Sequence, residues 1–147
     1  MFVTGATGYI GGRLAPRLIE RGYRVRCLAR NAAKLLARPW AVSQHEKVDI
    51  IEGDAADEER LTTAMRGCGA AYYLVHSMDA AGPEYRQRDL TLAETFGRAA
   101  MAAGVPVVTT REVAEAIGAS HGEHLLTAES AAALAHAVAE TLRDPAA

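Results

Sequence analysis

Cysteine, lysine and aromatic residues are scarce in this 147-residue chain, which has two cysteines, two lysines (Lys34 and Lys47) and 5% aromatics. Cys27 and Cys68 are too few for a cysteine zinc site or a disulfide framework, and no metal is expected. Cys27 lies in a strand-like run and reads as a small buried hydrophobe. A basic field is missing as well: 16 Lys and Arg stand against 18 Asp and Glu, a net charge of -2. Nothing in that balance would draw in nucleic acid or an anionic membrane surface, and neither is expected as a partner. No apolar run approaches the roughly 20 residues needed to span a bilayer. The first residues lack a charged segment ahead of an apolar one, so no signal peptide is read and a cytoplasmic protein is expected.

What the chain does have is alternation. Brief β-branched or apolar runs at 2–4, 24–29, 48–52, 71–75 and 105–109 read as strands, with a sixth candidate at 124–126. Helical spacing fills the gaps. Ile10, Leu14 and Leu18 share one face, Gly22 supplies a C-cap, and Pro16 within this helix removes one backbone hydrogen bond. Asp57 is placed to N-cap a helix carrying Leu61 and Met65. Leu92, Phe96, Ala99 and Ala103 mark a longer helix over 84–103, and Ser130 precedes a stripe of Leu134, Val138 and Leu142. Half the residues are hydrophobic, enough for one real core. The pattern predicts a single α/β domain over 1–147, a three-layer doubly wound parallel sheet of five or six strands in the order 3-2-1-4-5-6.

The strongest chemical signal follows the first strand directly: Thr4-Gly5-Ala6-Thr7-Gly8-Tyr9-Ile10-Gly11-Gly12, with glycines spaced G-x-x-G-x-x-G. Glycine permits the tight turn, lets main-chain amides approach a pyrophosphate, and lets helix and strand pack closely. The helix that follows presents free N–H groups and a favourable dipole to an anion. Between a first strand and an amphipathic helix, this is the signature of a Rossmann-type dinucleotide site. Gly5, Thr7, Gly8, Tyr9, Ile10 and Gly11 form the candidate cradle.

The end of the second strand discriminates between cofactors. NAD-preferring sites place Asp or Glu there to bind the adenosine ribose. This chain has Arg30, which repels nothing and can pair with a 2′-phosphate. NADP(H) is therefore the expected cofactor, with NAD(H) second. Arg13, early in the first helix, could also reach the phosphates or stay on the helix surface. Asp54, after the third strand, borders the adenine pocket; it could accept from the adenine amino group or simply shape the turn. His76 and Ser77 follow the fourth strand at the carboxyl edge where ligands bind, and Ser77 could touch the nicotinamide-side ribose.

From Phe2 to about Gly104 the chain resembles the NmrA-like atypical short-chain dehydrogenase/reductases. The resemblance rests on VTGATGYIGGRL at 3–14, VRCLAR at 25–30, EGDAAD at 52–57 and YYLVHSM at 72–78. It implies NADP(H) binding through Gly5, Gly8, Gly11, Arg30 and Asp54. It also implies a Tyr-x-x-x-Lys pair, which this chain lacks: Arg13, Cys27, His76, Ser77 and Asp89 stand four residues after the tyrosines. Without a lysine beside it, a tyrosine lacks the usual means of lowering its pKa for proton transfer. No catalytic residue is assigned.

Residues 99–147 are similar instead to the C-terminal end of GT-B glycosyltransferases, through AAMAAGVPVVTT (99–110), GEHLLTA (122–128) and ALAHAVAETLRDP (133–145). The paired donor-site glutamates of that family would fall on Thr91 and Ala99, neither of them acidic. Two resemblances meeting at one helix predict a chimera; a single divergent family is the alternative. The expected function is an NADP(H)-binding module without a complete catalytic site. The alternatives are a fold without ligand, or an oxidoreductase using His76, Ser77 or Tyr85. A free edge strand leaves a homodimer open.

Overall fold

The computed structural model describes residues 1–75, 83–109, 111–116, 118, 120–122 and 125–143. Strand β1 (Phe2–Thr4) passes through the glycine turn into α1 (Gly11–Glu20), and β2 (Val25–Ala29) follows. Two short helices, α2 (Ala33–Leu36) and α3 (Pro39–Ser43), and a 3-10 turn at His45–Lys47 lead to β3 (Val48–Glu52). Then come α4 (Glu58–Met65), β4 (Ala71–Tyr72), α5 (Pro83–Ala102), β5 (Val108–Thr109), α6 (Arg111–Ala116), β6 (Leu126–Thr127) and α7 (Ala131–Arg143).

The first four strands form a parallel sheet in the order β3-β2-β1-β4, as the alternation predicts. β5 and β6 pair in parallel as a separate two-stranded ladder, so the expected single run 3-2-1-4-5-6 is realised in two parts. Two local causes shorten the strands at that junction. Pro106 has no N–H to give a ladder, so the expected strand over 105–109 begins pairing only at Val108. β4 ends at Tyr72 because its partner β1 ends at Thr4; beyond that point the Leu74 amide donates to the Thr4 hydroxyl at 3.4 Å. The Val107 carbonyl, one residue before β5, accepts from the Leu126 amide at 2.9 Å and leads into that ladder.

Alternation along the strands divides the core between the two faces of the sheet. Phe2 and Leu28 point to one side, against Leu61 and Met65 of α4 and Phe96 and Ala99 of α5. Val3 and Cys27 point to the other, against Ala15, Leu18 and Ile19 of α1 and Leu35 of α2. Val105 packs into the first cluster, so the chain entering β5 belongs to the same core. This is the three-layer arrangement expected of the sequence.

The expected caps are present. Gly22 takes φ 91° and closes α1 through Gly22 N–H to Ile19 and Tyr23 N–H to Leu18, while the helix continues through Pro16. The Asp57 carboxylate accepts from the Arg60 amide at 2.9 Å, and the Ser130 hydroxyl from the Ala133 amide at 3.1 Å.

Cys27 is fully buried, and burial, with the Asp49 charge second, pushes its thiol from 9.0 up to about 12. A thiol reagent should therefore label half-buried Cys68 in the folded protein and reach Cys27 only after denaturant is added. The unfolded chain ionises this thiol first, so Cys27 favours unfolding progressively as pH rises from about 9 towards 12. Rapid labelling of both thiols under native conditions would contradict this placement.

Candidate functional site

The sequence at 4–12 folds as it does because three glycines let main chain approach main chain. Gly5 adopts φ 72°, and a Cβ there would lie 2.4 Å from the Leu74 carbonyl oxygen. Gly11 has an ordinary φ, but its Cβ would lie 2.4 Å from the Gly5 oxygen and 2.7 Å from Ala6 Cα. Gly8 is less crowded, with the Gly5 oxygen 3.3 Å away, and its amide closes the turn onto that oxygen at 3.0 Å. The Thr4 side chain, almost fully buried, donates to the Tyr72 carbonyl at 3.2 Å and fixes the turn to the carboxyl edge of the sheet.

Helix α1 opens at Ile10 without a side-chain cap and without an acidic residue in its first turn. The Gly12 amide bonds to Gly8, but the amides of Tyr9, Ile10 and Gly11 meet no main-chain acceptor among the described residues. Tyr9 and Ile10 are 74% and 63% exposed and Gly11 is buried, so among the described residues the mouth lies open at its first two positions. Three free donors at the positive end of a helix dipole are what a phosphate requires.

Arginines belong to this region: Arg13 and Arg38 contact the turn, and Arg30 stands at the end of β2. Arg30 follows β2, is exposed, and has no hydrogen bond or ion pair among the described residues. Its loop is held from both sides: the Asn31 side chain accepts from the Ala33 amide at 2.9 Å, and the Glu52 carboxylate from the Ala32 amide at 3.0 Å. Arg13 lies over the Tyr9 ring, 4.2 Å from its centroid, in a cation–π contact on the helix surface. Arg38, which the sequence reading passed over, donates to the Thr7 carbonyl at 2.7 Å. Its only sequence signal is a second arginine eight residues beyond Arg30, in a segment without clear periodicity.

Asp54 is a turn former in this structure. Its carboxylate accepts from the Ala56 amide at 2.9 Å, its carbonyl accepts from Asp57, and the side chain stays exposed. Ser77 and His76 lie outside the described residues. Tyr73 packs against Phe96 with 5.0 Å between ring centroids, and its hydroxyl is buried without a hydrogen-bond partner among the described residues. Burial, with the Asp89 charge second, pushes that phenol up to about 12, far from the range of a proton donor working near neutrality. Among the described residues no group of three or more His, Cys, Asp or Glu could hold a metal, and no helix is long and apolar enough to cross a membrane.

A family model described as NAD(P)H-binding matches residues 5–145. Among curated proteins the chain is similar to dihydroflavonol 4-reductase of Zea mays, 33% identical over 85 residues, covering 54% of this chain and 23% of that protein. It is also similar to 3-beta-hydroxysteroid dehydrogenase of Mycolicibacterium neoaurum, 31% identical over 97 residues, covering 63% and 25%. The matches thus span about a quarter of those relatives' length. Among solved structures, Pen from Bacillus thuringiensis superposes with a TM-score of 0.61 at 20% identity, covering 74% of this chain and 36% of that one. Triphenylmethane reductase of Citrobacter sp., complexed with NADP(H), gives 0.55 at 21% identity and covers 95% and 45%. These structural likenesses establish the fold.

The comparisons correct the reading of residues 99–147. The family match crosses the helix at 99–104 without a break, and the reductase structure follows the chain over nearly all its length. Neither the glycosyltransferase resemblance nor a chimera finds support. The local likeness has a physical origin: Gly104 at φ 70° stops α5, with Gly104 N–H to Met101 and Val105 N–H to Ala100, before the chain enters β5. Any parallel α/β protein meets that requirement with small residues, glycine and a valine-rich strand. With an open helix mouth after β1, a glycine turn that admits no side chain at two positions, and one family match over nearly the whole sequence, the chain belongs to the NAD(P)H-binding family.

Proposed function

We propose that this chain holds NADP(H) across the 5–11 turn and serves as the cofactor-binding part of an NADP(H)-dependent oxidoreductase. The observation that carries the cofactor choice is Arg30, an exposed guanidinium without a partner among the described residues, where a ribose-binding carboxylate would favour NAD(H). The pyrophosphate would rest on the amides of Tyr9, Ile10 and Gly11, with Gly5, Thr7 and Gly8 shaping the turn. The 2′-phosphate would face Arg30. Asp54 keeps its free carboxylate oxygen for the adenine amino group, and Ser77 remains assigned to the nicotinamide-side ribose. When bound, the cofactor would supply a hydride to an acceptor.

The oxidoreductase reading is supported by the relatives, which are a reductase and a dehydrogenase, and by the likeness to a quinone oxidoreductase from Escherichia coli solved with NADPH. Since the sequence lacks Tyr-x-x-x-Lys, proton delivery is left to other groups. Tyr73 is unsuited by its raised pKa, which leaves His76, Ser77 and Tyr85 as candidates.

Titration with NADPH and NADH tests the proposal. Trp40 of α3, half-buried against the α1-side core, should report binding by a change in fluorescence. NADPH at 100 times its Kd should stabilise the fold by about 2.7 kcal/mol, raising Tm. A melting temperature indifferent to either cofactor at millimolar concentration would remove the function. Binding without NADPH oxidation across a panel of carbonyl and quinone acceptors would leave the binding module and remove the oxidoreductase.

A further inference from the structure

The peptide between Thr7 and Gly8 presents a problem for an anion site. Three amides of this turn are free to point at a phosphate, but a carbonyl in the same turn is a dipole of the wrong sign. Both polar groups of that peptide are occupied in this structure. Its N–H is held by the Gly5 carbonyl at 3.0 Å, and its oxygen accepts from the Arg38 guanidinium at 2.7 Å. The second bond is at the short end for a charge-assisted contact. Arg38 is also placed firmly. Pro39 keeps it in the extended region (φ -88°, ψ 125°), and its amide bonds to the Leu35 carbonyl at 2.8 Å. Leu35 and Ala41 are buried on either side, so the two short helices carry Arg38 to the turn from anchored positions.

We propose that Arg38 is a positioning residue for the cofactor pyrophosphate. It holds the Thr7 carbonyl and offsets its negative end, so that the Tyr9, Ile10 and Gly11 amides meet the diphosphate without an opposing dipole. The inference rests on the turn being the pyrophosphate cradle, and it assigns Arg38 a task separate from that of Arg30. Arg30 would act on the 2′-phosphate alone. Arg38 would act on the diphosphate, which NADPH and NADH share.

The test is a pair of variants, Arg38→Gln and Arg38→Lys, titrated with NADPH and with NADH. Arg38→Gln should weaken both cofactors by the same factor, roughly tenfold or more, and leave the ratio of their affinities unchanged. Arg38→Lys, which keeps the charge and one directed donor, should stay within about threefold of the unaltered protein. Melting of each variant without cofactor checks that the fold persists, as the exposure of Arg38 leads one to expect. An Arg38→Gln affinity within about twofold of the original would overturn the proposal. So would a loss confined to NADPH, which would move Arg38 to the 2′-phosphate, or equal losses in the Gln and Lys variants, which would make its charge irrelevant. Failure of the unaltered protein to bind either cofactor would remove the cradle itself and this inference with it, whereas the other failures leave the cradle standing.

Discussion

Gly11→Ala is expected to lower NADPH affinity by about tenfold to several hundredfold and to destabilise the protein by about 1–3 kcal/mol. The reason is space alone. The new Cβ would lie 2.4 Å from the Gly5 oxygen, 2.7 Å from Ala6 Cα and 2.8 Å from the Gly5 carbonyl carbon, all of them main chain. No side chain can rotate aside, so α1 must back away from the turn. The amides of Tyr9, Ile10 and Gly11 move with it, and one or two contacts to a diphosphate are lost. Gly12→Ala is the control. Its Cβ would meet only the Ala6 oxygen at 3.5 Å, an ordinary contact, and the substitution removes backbone entropy from the unfolded chain. It should be neutral or stabilise by about 0.4–1 kcal/mol and leave NADPH binding unchanged. Denaturant unfolding and NADPH titration of the two variants decide the matter. Normal binding by Gly11→Ala would mean that the cofactor sits elsewhere.

Arg30→Ala should weaken NADPH about ten- to a hundredfold while leaving NADH within about twofold. A guanidinium–phosphate contact contributes about 1.5–3 kcal/mol, and NADH lacks the phosphate that makes it. The contact is exposed, so the gap between the two cofactors in the unaltered protein should narrow as salt rises. Isothermal titration of both cofactors at two ionic strengths measures each quantity. Equal affinity for NADPH and NADH before the substitution, or an unchanged NADPH affinity after it, would release Arg30 from this role. Together with the Arg38 variants the experiment separates two kinds of charge: one that selects the cofactor and one that helps hold either.

Much of the fold was legible because its signals are local. Strand–helix alternation, the Gly22 stop and the Asp57 and Ser130 caps depend on residues within a few positions of one another, and the structure places them as expected. The strand limits near β4 and β5 were less legible. A run such as 71–75 looks extended throughout, but pairing stops where the neighbouring strand turns away at Gly5. Helices α2 and α3 were missed because four- and five-residue segments are too short to show a periodic face. The C-terminal third misled for the opposite reason. A helix that stops at glycine before a valine-rich strand satisfies a demand common to many α/β folds, so its local sequence does not identify a family.

The amino-acid sequence by itself determined the candidate cradle: glycine spacing after a first strand creates a turn and a helix start whose first N–H groups lack a helical carbonyl to bind, wherever the rest of the chain goes. Tertiary structure decided what stands around that cradle. Arg38 reaches Thr7 across 31 positions, and Leu74 comes within contact of Gly5 across nearly 70. Contacts of that separation depend on how layers pack, and packing is a property of all the side chains at once.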